Sequence, residues 1–247
     1  MIRKPLREIL SEAKNIVFFG GAGTSTESNI PDFRSVNGLY QANSDFPYPP
    51  EQILSRSFFI KHTADFYKYY RKNMIYLEAQ PNDAHFSLVE LEKRGQLKAI
   101  ITQNIDGLHQ SAGSTNVLEL HGSIHRNYCM RCDTLYDVRF ITKHKKGIPT
   151  CERCGGIVKP DVTLYEEQLN MEMFDKAKRY ILDADLLIIA GTSLSVQPAA
   201  SLVNYYQGEH VVIINHTETN CDGIATYLIR DSIGSVLNQW VNEVVPS

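Results

Sequence analysis

Six short apolar runs punctuate the chain: 15–20 "NIVFFG", 99–104 "AIITQN", 116–121 "NVLELH", 185–191 "DLLIIAG", 211–215 "VVIIN" and 225–230 "ATYLIR". They are rich in β-branched and aromatic residues and lack polar alternation, the pattern of strands buried on both faces of a parallel sheet. Between several of them the apolar spacing turns helical, over 84–94, 171–183 and 196–207. This alternation predicts an α/β protein with a doubly wound parallel sheet. Ligands of such sheets bind beyond the carboxyl ends of the strands. "GGAG", "QNID", "HG", "GTS" and "NHT" each close one run, so one shared crevice is expected.

Two stretches break the alternation. Residues 35–80 read as loop followed by helix, with the aromatics of "FFIKHTADFYKYY" packing a small helical lobe. Residues 124–160 hold four of the five cysteines. The expected division is therefore a main domain of 1–34, 81–123 and 160–247, and an inserted smaller domain of 35–80 and 124–159.

Cys129-x2-Cys132 and Cys151-x2-Cys154, with eighteen residues between the pairs, have the spacing of a zinc ribbon. The competing reading, two disulfides, needs an oxidising compartment. Four thiolates leave no open coordination position, so the expected metal is structural. Cys221 stands alone.

Composition narrows the classes further. The 247 residues suffice for a large domain carrying a small one, and 43% hydrophobic with 21% charged is ordinary globular usage. A net charge of −3 gives no broad pull toward phosphate backbones, so nucleic acid is not an expected partner. The one basic cluster, Lys143, His144, Lys145 and Lys146, reads as a solvated loop. "MIRKPLREIL" has no secretory pattern, and no run approaches the roughly 18 to 20 apolar residues of a membrane span. A cytoplasmic location follows as the expectation.

Gly21-x-Gly23 after the first strand suits backbone amides approaching a pyrophosphate, with a helix from Thr24 or Ser25 offering its positive end. Thr24 and Glu27 have the spacing of a capping box. The third glycine of a dinucleotide fingerprint is replaced by Thr26, and no acidic residue closes a second strand about 20 residues on. Hydride transfer loses ground accordingly. Among eight histidines, His121 ends a strand, where an imidazole can titrate near neutral pH. Gly122 beside it is expected to free the backbone for a ligand, whereas His85, His109 and His125 read as structural.

"GAGTSTESNIPDFR", "TQNIDGLH", "LELHGS", the four cysteines, "KPDVTLYEE", "GTSLSVQPAA" and "IINHTET", in this order, resemble the sirtuins across essentially the whole chain. That resemblance implies a Rossmann-like domain with a smaller zinc-ribbon and helical domain. It implies NAD-dependent removal of acyl groups, chiefly acetyl, from protein lysines, giving nicotinamide, O-acyl-ADP-ribose and free lysine. The alternative within the family is NAD-dependent protein mono-ADP-ribosyl transfer. The implied partners are acyl-lysine proteins or peptides, with neither nucleic acid nor membrane and the chain a monomer.

The resemblance also assigns residues. Gly21, Ala22, Gly23 and Thr26 would line the NAD phosphates and ribose, and Phe33 the nicotinamide, with Asp32 and Arg34 ordering a lid that Pro31 turns into the site. Asp106 would accept from the nicotinamide amide, Asn104 would position ribose and a water, and Gln103 and Ile105 would contact ribose and carboxamide. His121 would be the base. Gly191, Thr192 and Ser193 would hold the adenosine half, Asn215 and His216 its ribose, and Ser232 or Ile233 the adenine. Val162, Thr163, Tyr165 and Glu166 would line the peptide groove and acyl-lysine tunnel. Glu166 stands where the family has glycine, Thr163 where an aliphatic is common, Thr24 for Ile or Val, and Asn29 for Gly. The family's Tyr-x-x-Arg signature for acidic acyl groups becomes Tyr67 and Tyr70, with Arg71 one position late, so neutral acyl groups are expected.

Overall fold

The structure is a computed structural model that describes residues 5–33, 38–40, 46–145 and 147–243. Its strands are β1 (Ile16–Gly20), β2 (Leu97–Thr102), β3 (Val117–Glu119), β4 (Gly122–Cys129), β5 (Leu135–Tyr136), β6 (Val158–Val162), β7 (Leu186–Ala190), β8 (His210–Ile214) and β9 (Tyr227–Ile229). Six of them form one parallel sheet in the order β3-β2-β1-β7-β8-β9. The chain moves outward from β1 in one direction, then in the other from β7. The switch point therefore lies between β1 and β7, where a crevice opens at the carboxyl ends.

Side-chain alternation sorts β1 into two cores. Ile16 and Phe18 face a layer containing the helices Asp83–Lys93 and Ile233–Glu243, through Leu88, Leu237 and Trp240. Val17 and Phe19 face the helix Met171–Leu182, through Phe174 and Ile181. Every residue of β1 and β7 is buried, which explains why both read as unbroken apolar runs. Two expected helical stretches are 3-10 instead, Ala22–Ser28 and Ala199–Tyr205. The first ends on Asn29 at φ +62°, a left-handed position that asparagine tolerates, so its replacement of the family's glycine is sterically accommodated.

A second, antiparallel sheet has the order β5-β4-β6. It shares one core with the helices Arg56–Lys61, Thr63–Asn73 and Val138–Lys143: Phe59, Phe66, Tyr67 and Tyr70 pack with Ile124, Ile141 and Val158. The two sequence interruptions thus bury their apolar surface together. Neither has enough of it alone. β4 begins at Gly122 and β6 ends at Val162, so both strands cross the boundaries drawn at 124 and 159 and carry the chain between the sheets. Among the described residues no helix is long and apolar enough to cross a membrane.

Candidate active site

The strand ends are stitched together by backbone hydrogen bonds that continue past the sheet. The amide of Gln103 donates to Gly20 O (3.0 Å), Gly21 to Ala190 O (3.1 Å), Gly23 to Gly191 O (2.8 Å) and Gly191 to Ile214 O (3.1 Å). A Cβ on Gly23 would lie 2.6 Å from Gly191 Cα, and one on Gly21 would lie 2.7 Å from Thr192 Cβ. These glycines let one loop close onto the other. Their amides, and that of Thr24, are consumed within the protein, so in this loop Ala22 N–H is the donor left for a ligand among the described residues.

Ser25 is the centre of the polar site, and the sequence reading missed it. Its hydroxyl donates to Asp106 Oδ2 (2.7 Å) and accepts from Asn104 Nδ2 (3.1 Å). Leu108 N donates to the other carboxylate oxygen of Asp106 (2.9 Å), and Asn104 N donates to Thr102 Oγ1 (3.0 Å). Burial raises the Asp106 carboxyl above its ordinary value, and the donors from Leu108 and Ser25 pull it back. His125 Nε2 donates to Asp106 O (2.9 Å), holding this turn from beneath.

His121 sits across the strand end from this cluster. Its Nδ1 lies 3.0 Å from Gln103 O. A carbonyl only accepts, so Nδ1 carries the proton and the neutral ring presents Nε2 as a bare lone pair. Burial lowers the pKa below the ordinary 6.5, opposed by the Gln103 bond. The imidazole is therefore neutral at pH 7, the state a proton acceptor needs.

Two local expectations are corrected. Thr24 and Glu27 form no capping box: no side chain caps the 3-10 helix, Thr24 is fully buried with Oγ1 unpartnered, and Glu27 accepts from Gly234 N (3.0 Å) at the start of the last helix. Gly122, at φ +80°, does not free space for a ligand. A Cβ there would lie 1.9 Å from Asp161 O, so glycine is required by the crossing of β4 on β6.

The other singled-out residues fall in graded positions. Thr26 Oγ1 donates to Gly23 O (2.9 Å), and Gln103 Nε2 donates to Thr192 Oγ1 (2.9 Å). Phe33 meets Tyr40 edge-to-face at 5.7 Å, and Asp32 O accepts from Leu39 N (2.8 Å). Phe33 and Ile105 both pack against the small lobe's core. Arg34 lies outside the described residues. Ser193 Oγ pairs with Ser195 Oγ (2.8 Å), Asn215 Nδ2 donates to Thr217 O (2.8 Å), and His216 is exposed. Ser232 Oγ accepts from Ser235 N (3.3 Å), whereas the Ile233 side chain is buried in the first core, which leaves only its backbone to face a ligand.

On the substrate side, Val162 is buried and Thr163 N donates to His121 O (3.0 Å), tying the peptide segment to the base. Tyr165 bridges to the helical lobe, its N to Leu54 O and its O to Arg56 N, and its hydroxyl meets that of Tyr40 at 2.9 Å. Glu166 has φ +73°, which accounts for glycine being usual at this place in the family, and its carboxylate accepts from Ser57 N and Oγ (both 2.9 Å). That carboxylate caps a helix. Arg71 donates to Gly147 O (2.8 Å).

The four cysteine sulfurs cluster within 4.8 Å of one another, at 3.3, 3.4 and 3.6 Å for the closest pairs. A disulfide needs about 2.0 Å, whereas a tetrahedral zinc places its thiolates about 3.8 Å apart. The donor set fits zinc. Tyr136 Oη donates to Cys151 Sγ (3.2 Å) and Arg131 N to Cys129 Sγ (3.4 Å), the outer hydrogen bonds that thiolate ligands require.

A nucleotide crevice at a switch point, a strand-end histidine and a four-cysteine ribbon together define a class, and comparison with known proteins agrees. The Sir2 family model matches residues 21–198. A protein named NAD-dependent protein deacetylase from Clostridium tetani is 57% identical over 242 residues, 98% of each chain. One of the same name from Clostridium acetobutylicum is 56% identical, over 94% of this chain and 95% of that one. A Sir2 structure with deacetylated p53 peptide and 3′-O-acetyl ADP ribose superposes with a TM-score of 0.89 at 36% identity, covering 99% of both chains. A Sir2 homolog–NAD complex gives 0.87 at 39% identity, over 97% and 92%. The chain belongs to the Sir2 family.

Proposed function

We propose that this chain is an NAD-dependent protein-lysine deacylase acting chiefly on acetyl groups, consistent with relatives at up to 57% identity named NAD-dependent protein deacetylases. The observation that carries the mechanism is the hydrogen bond from His121 Nδ1 to Gln103 O, which leaves Nε2 as the acceptor. NAD, as co-substrate, would supply the ADP-ribose whose hydroxyl oxygen takes the acyl group once nicotinamide leaves.

The residues divide the labour. Ala22 N–H, with Thr26, Gly191, Thr192 and Ser193, would hold the phosphates and adenosine half, with Asn215 and His216 at its ribose and Ser232 and the Ile233 backbone at the adenine. Asp106, fixed by Ser25 and Leu108, would orient the nicotinamide amide. Asn104, fixed by Ser25, would place ribose and water beside Gln103 and Ile105. His121 Nε2 would take the proton of a ribose hydroxyl. Phe33, Asp32 and Arg34 would close over the nicotinamide. Positioning dominates: well-oriented reactants gain on the order of 7 kcal/mol or more. Val162 and Thr163 would line the acyl-lysine tunnel, and Tyr165 would staple the peptide. Arg71 is engaged by Gly147 O, which favours neutral acyl groups. The smaller unit would comprise 35–80 and 124–159, and zinc held by Cys129, Cys132, Cys151 and Cys154 would brace it.

The test is incubation with NAD and a panel of acyl-lysine peptides, followed by mass spectrometry. Nicotinamide and deacylated peptide should appear together and only with acylated peptide. ADP-ribose retained on protein would favour the transferase reading, and NADH formation would refute the proposal.

A further inference from the structure

The segment "QPNDAH", residues 80–85, lies outside the crevice residues named above. Asn82 precedes the helix Asp83–Lys93 and caps it, its Oδ1 accepting from Ala84 N (3.0 Å). Its backbone N–H donates to His85 Nδ1 (3.2 Å), and its O accepts from Phe86 N (3.2 Å). Burial lowers the His85 pKa to about 4, so this ring stays neutral and Nδ1 remains an acceptor. With Oδ1 taken by the helix, the side-chain amide can face only one way. Nδ2 is turned to the 3-10 helix Ala22–Ser28, donating to Thr24 O (2.9 Å) and to Ser28 Oγ (2.9 Å).

Capping alone does not explain this arrangement. A cap needs one acceptor, and serine or aspartate supplies it as well as asparagine does. The two side-chain N–H bonds exceed that need, and both fall on a helix that is marginal by itself. Ala22–Ser28 is seven residues of 3-10 helix, a conformation uncommon beyond about three or four, and no side chain caps its start. The Thr24 side chain is buried with Oγ1 unpartnered, so it anchors nothing. The Thr24 carbonyl, however, shares a rigid peptide plane with the nitrogen of Ser25. Holding that carbonyl fixes the backbone from which Ser25 Oγ meets Asp106 (2.7 Å) and Asn104 (3.1 Å).

We propose that Asn82 is a positioning residue for the NAD site: through Thr24 and Ser28 it sets the loop that carries Ser25, and through Ser25 the orientation of Asn104 and Asp106. The inference rests on the functional reading above and extends it to the helix cap behind the loop. The chain of contacts runs from the cap to the Thr24 carbonyl, from there to the Ser25 hydroxyl, and so to the two strand-end side chains. Asn82 acts through these neighbours and touches no reacting atom. His85, buried and neutral, holds the cap in turn.

The test uses two substitutions that keep a capping oxygen and lose the amide, Asn82→Ser and Asn82→Asp, beside the control Asp137→Ala. Asp137 caps the helix Val138–Lys143 in the ribbon insert, accepting from Phe140 N (2.9 Å), so its removal costs a cap alone. In ligand-free protein the amides of Asn29 and Ile30 donate to Thr26 O and Ser25 O. Both should exchange with solvent at least about tenfold faster in the two Asn82 variants, while Asp83–Lys93 keeps its protection. Calorimetric NAD affinity should fall about tenfold, the scale of one or two lost hydrogen bonds. In turnover the KM for NAD should rise, with that for acetyl-peptide within about twofold, because the peptide segment is not part of this contact chain. Asp137→Ala should move neither NAD affinity nor exchange at 29 and 30. A wild type that binds no NAD would sink the functional reading and this inference together. A wild type that binds NAD, with both folded variants binding it equally well or exchanging at 29 and 30 as slowly, would overturn this inference alone.

Discussion

The crevice of the parallel sheet and the ribbon lobe hold their functional groups by different physics. At the centre of the crevice, polar side chains are positioned by neighbours distant in sequence: Ser25 holds Asn104 and Asp106, and Gln103 O holds His121. In the lobe, four sulfurs gather on a shared aromatic core, with Cys129 and Cys151 buried in it. In the first region these hydrogen bonds are made between protein groups alone. The second depends on an ion to offset the convergence of four thiols, because thiolates repel without one.

Removing the ion is therefore the largest perturbation. Chelation, or Cys151→Ala, should strip hydrogen-exchange protection from β4, β5 and β6 and leave β1, β2, β7 and β8 protected. Structural zinc contributes on the order of 10 kcal/mol to folding of its module. Equal loss in both sheets would break the distinction between the two regions.

His121→Ala comes next, with deacylation slowed about 10²- to 10⁴-fold and thermal stability nearly unchanged, read from initial rates and a melting curve. The wild-type pH profile sharpens this. Because burial lowers the His121 pKa, the neutral ring persists to more acid pH, and the rate should fall only as pH drops through a value below 6.5. An acid limb centred above 6.5 would contradict the assignment.

Ser25→Ala should cost about ten- to a hundredfold in rate, since two buried partners lose one hydroxyl, each worth about 1 kcal/mol or more. It should also push the Asp106 carboxyl further up, because the donor that lowers it is gone. The smallest effect belongs to Glu166→Gly. It deletes the contact to Ser57, about 1 kcal/mol for a helix-capping bond, and relieves the +73° backbone in part. A melting shift of a few degrees or less, with unchanged peptide affinity, is expected.

The same contrast explains what the sequence made legible. The strands of the main sheet announce themselves because both faces are buried, and the cysteines because ligand spacing is local. Ser25 was not legible, since its partners stand about eighty positions away and nothing nearby marks it. Gly122 was read correctly as a special position and wrongly as a ligand-facing one, because its requirement comes from Asp161 on another strand. Glu27 likewise had the spacing of a local cap, but its carboxylate is claimed by Gly234 at the far end of the chain. Short-range patterns gave way to tertiary partners in each of these cases.

The most direct test of the central claim is nitrogen NMR of His121 in protein labelled on its histidine rings. At pH 7 the expected result is a neutral ring with hydrogen on Nδ1 and none on Nε2, taking up its second proton only below pH 6.5. A ring protonated on Nε2, or doubly protonated at pH 7, would contradict it.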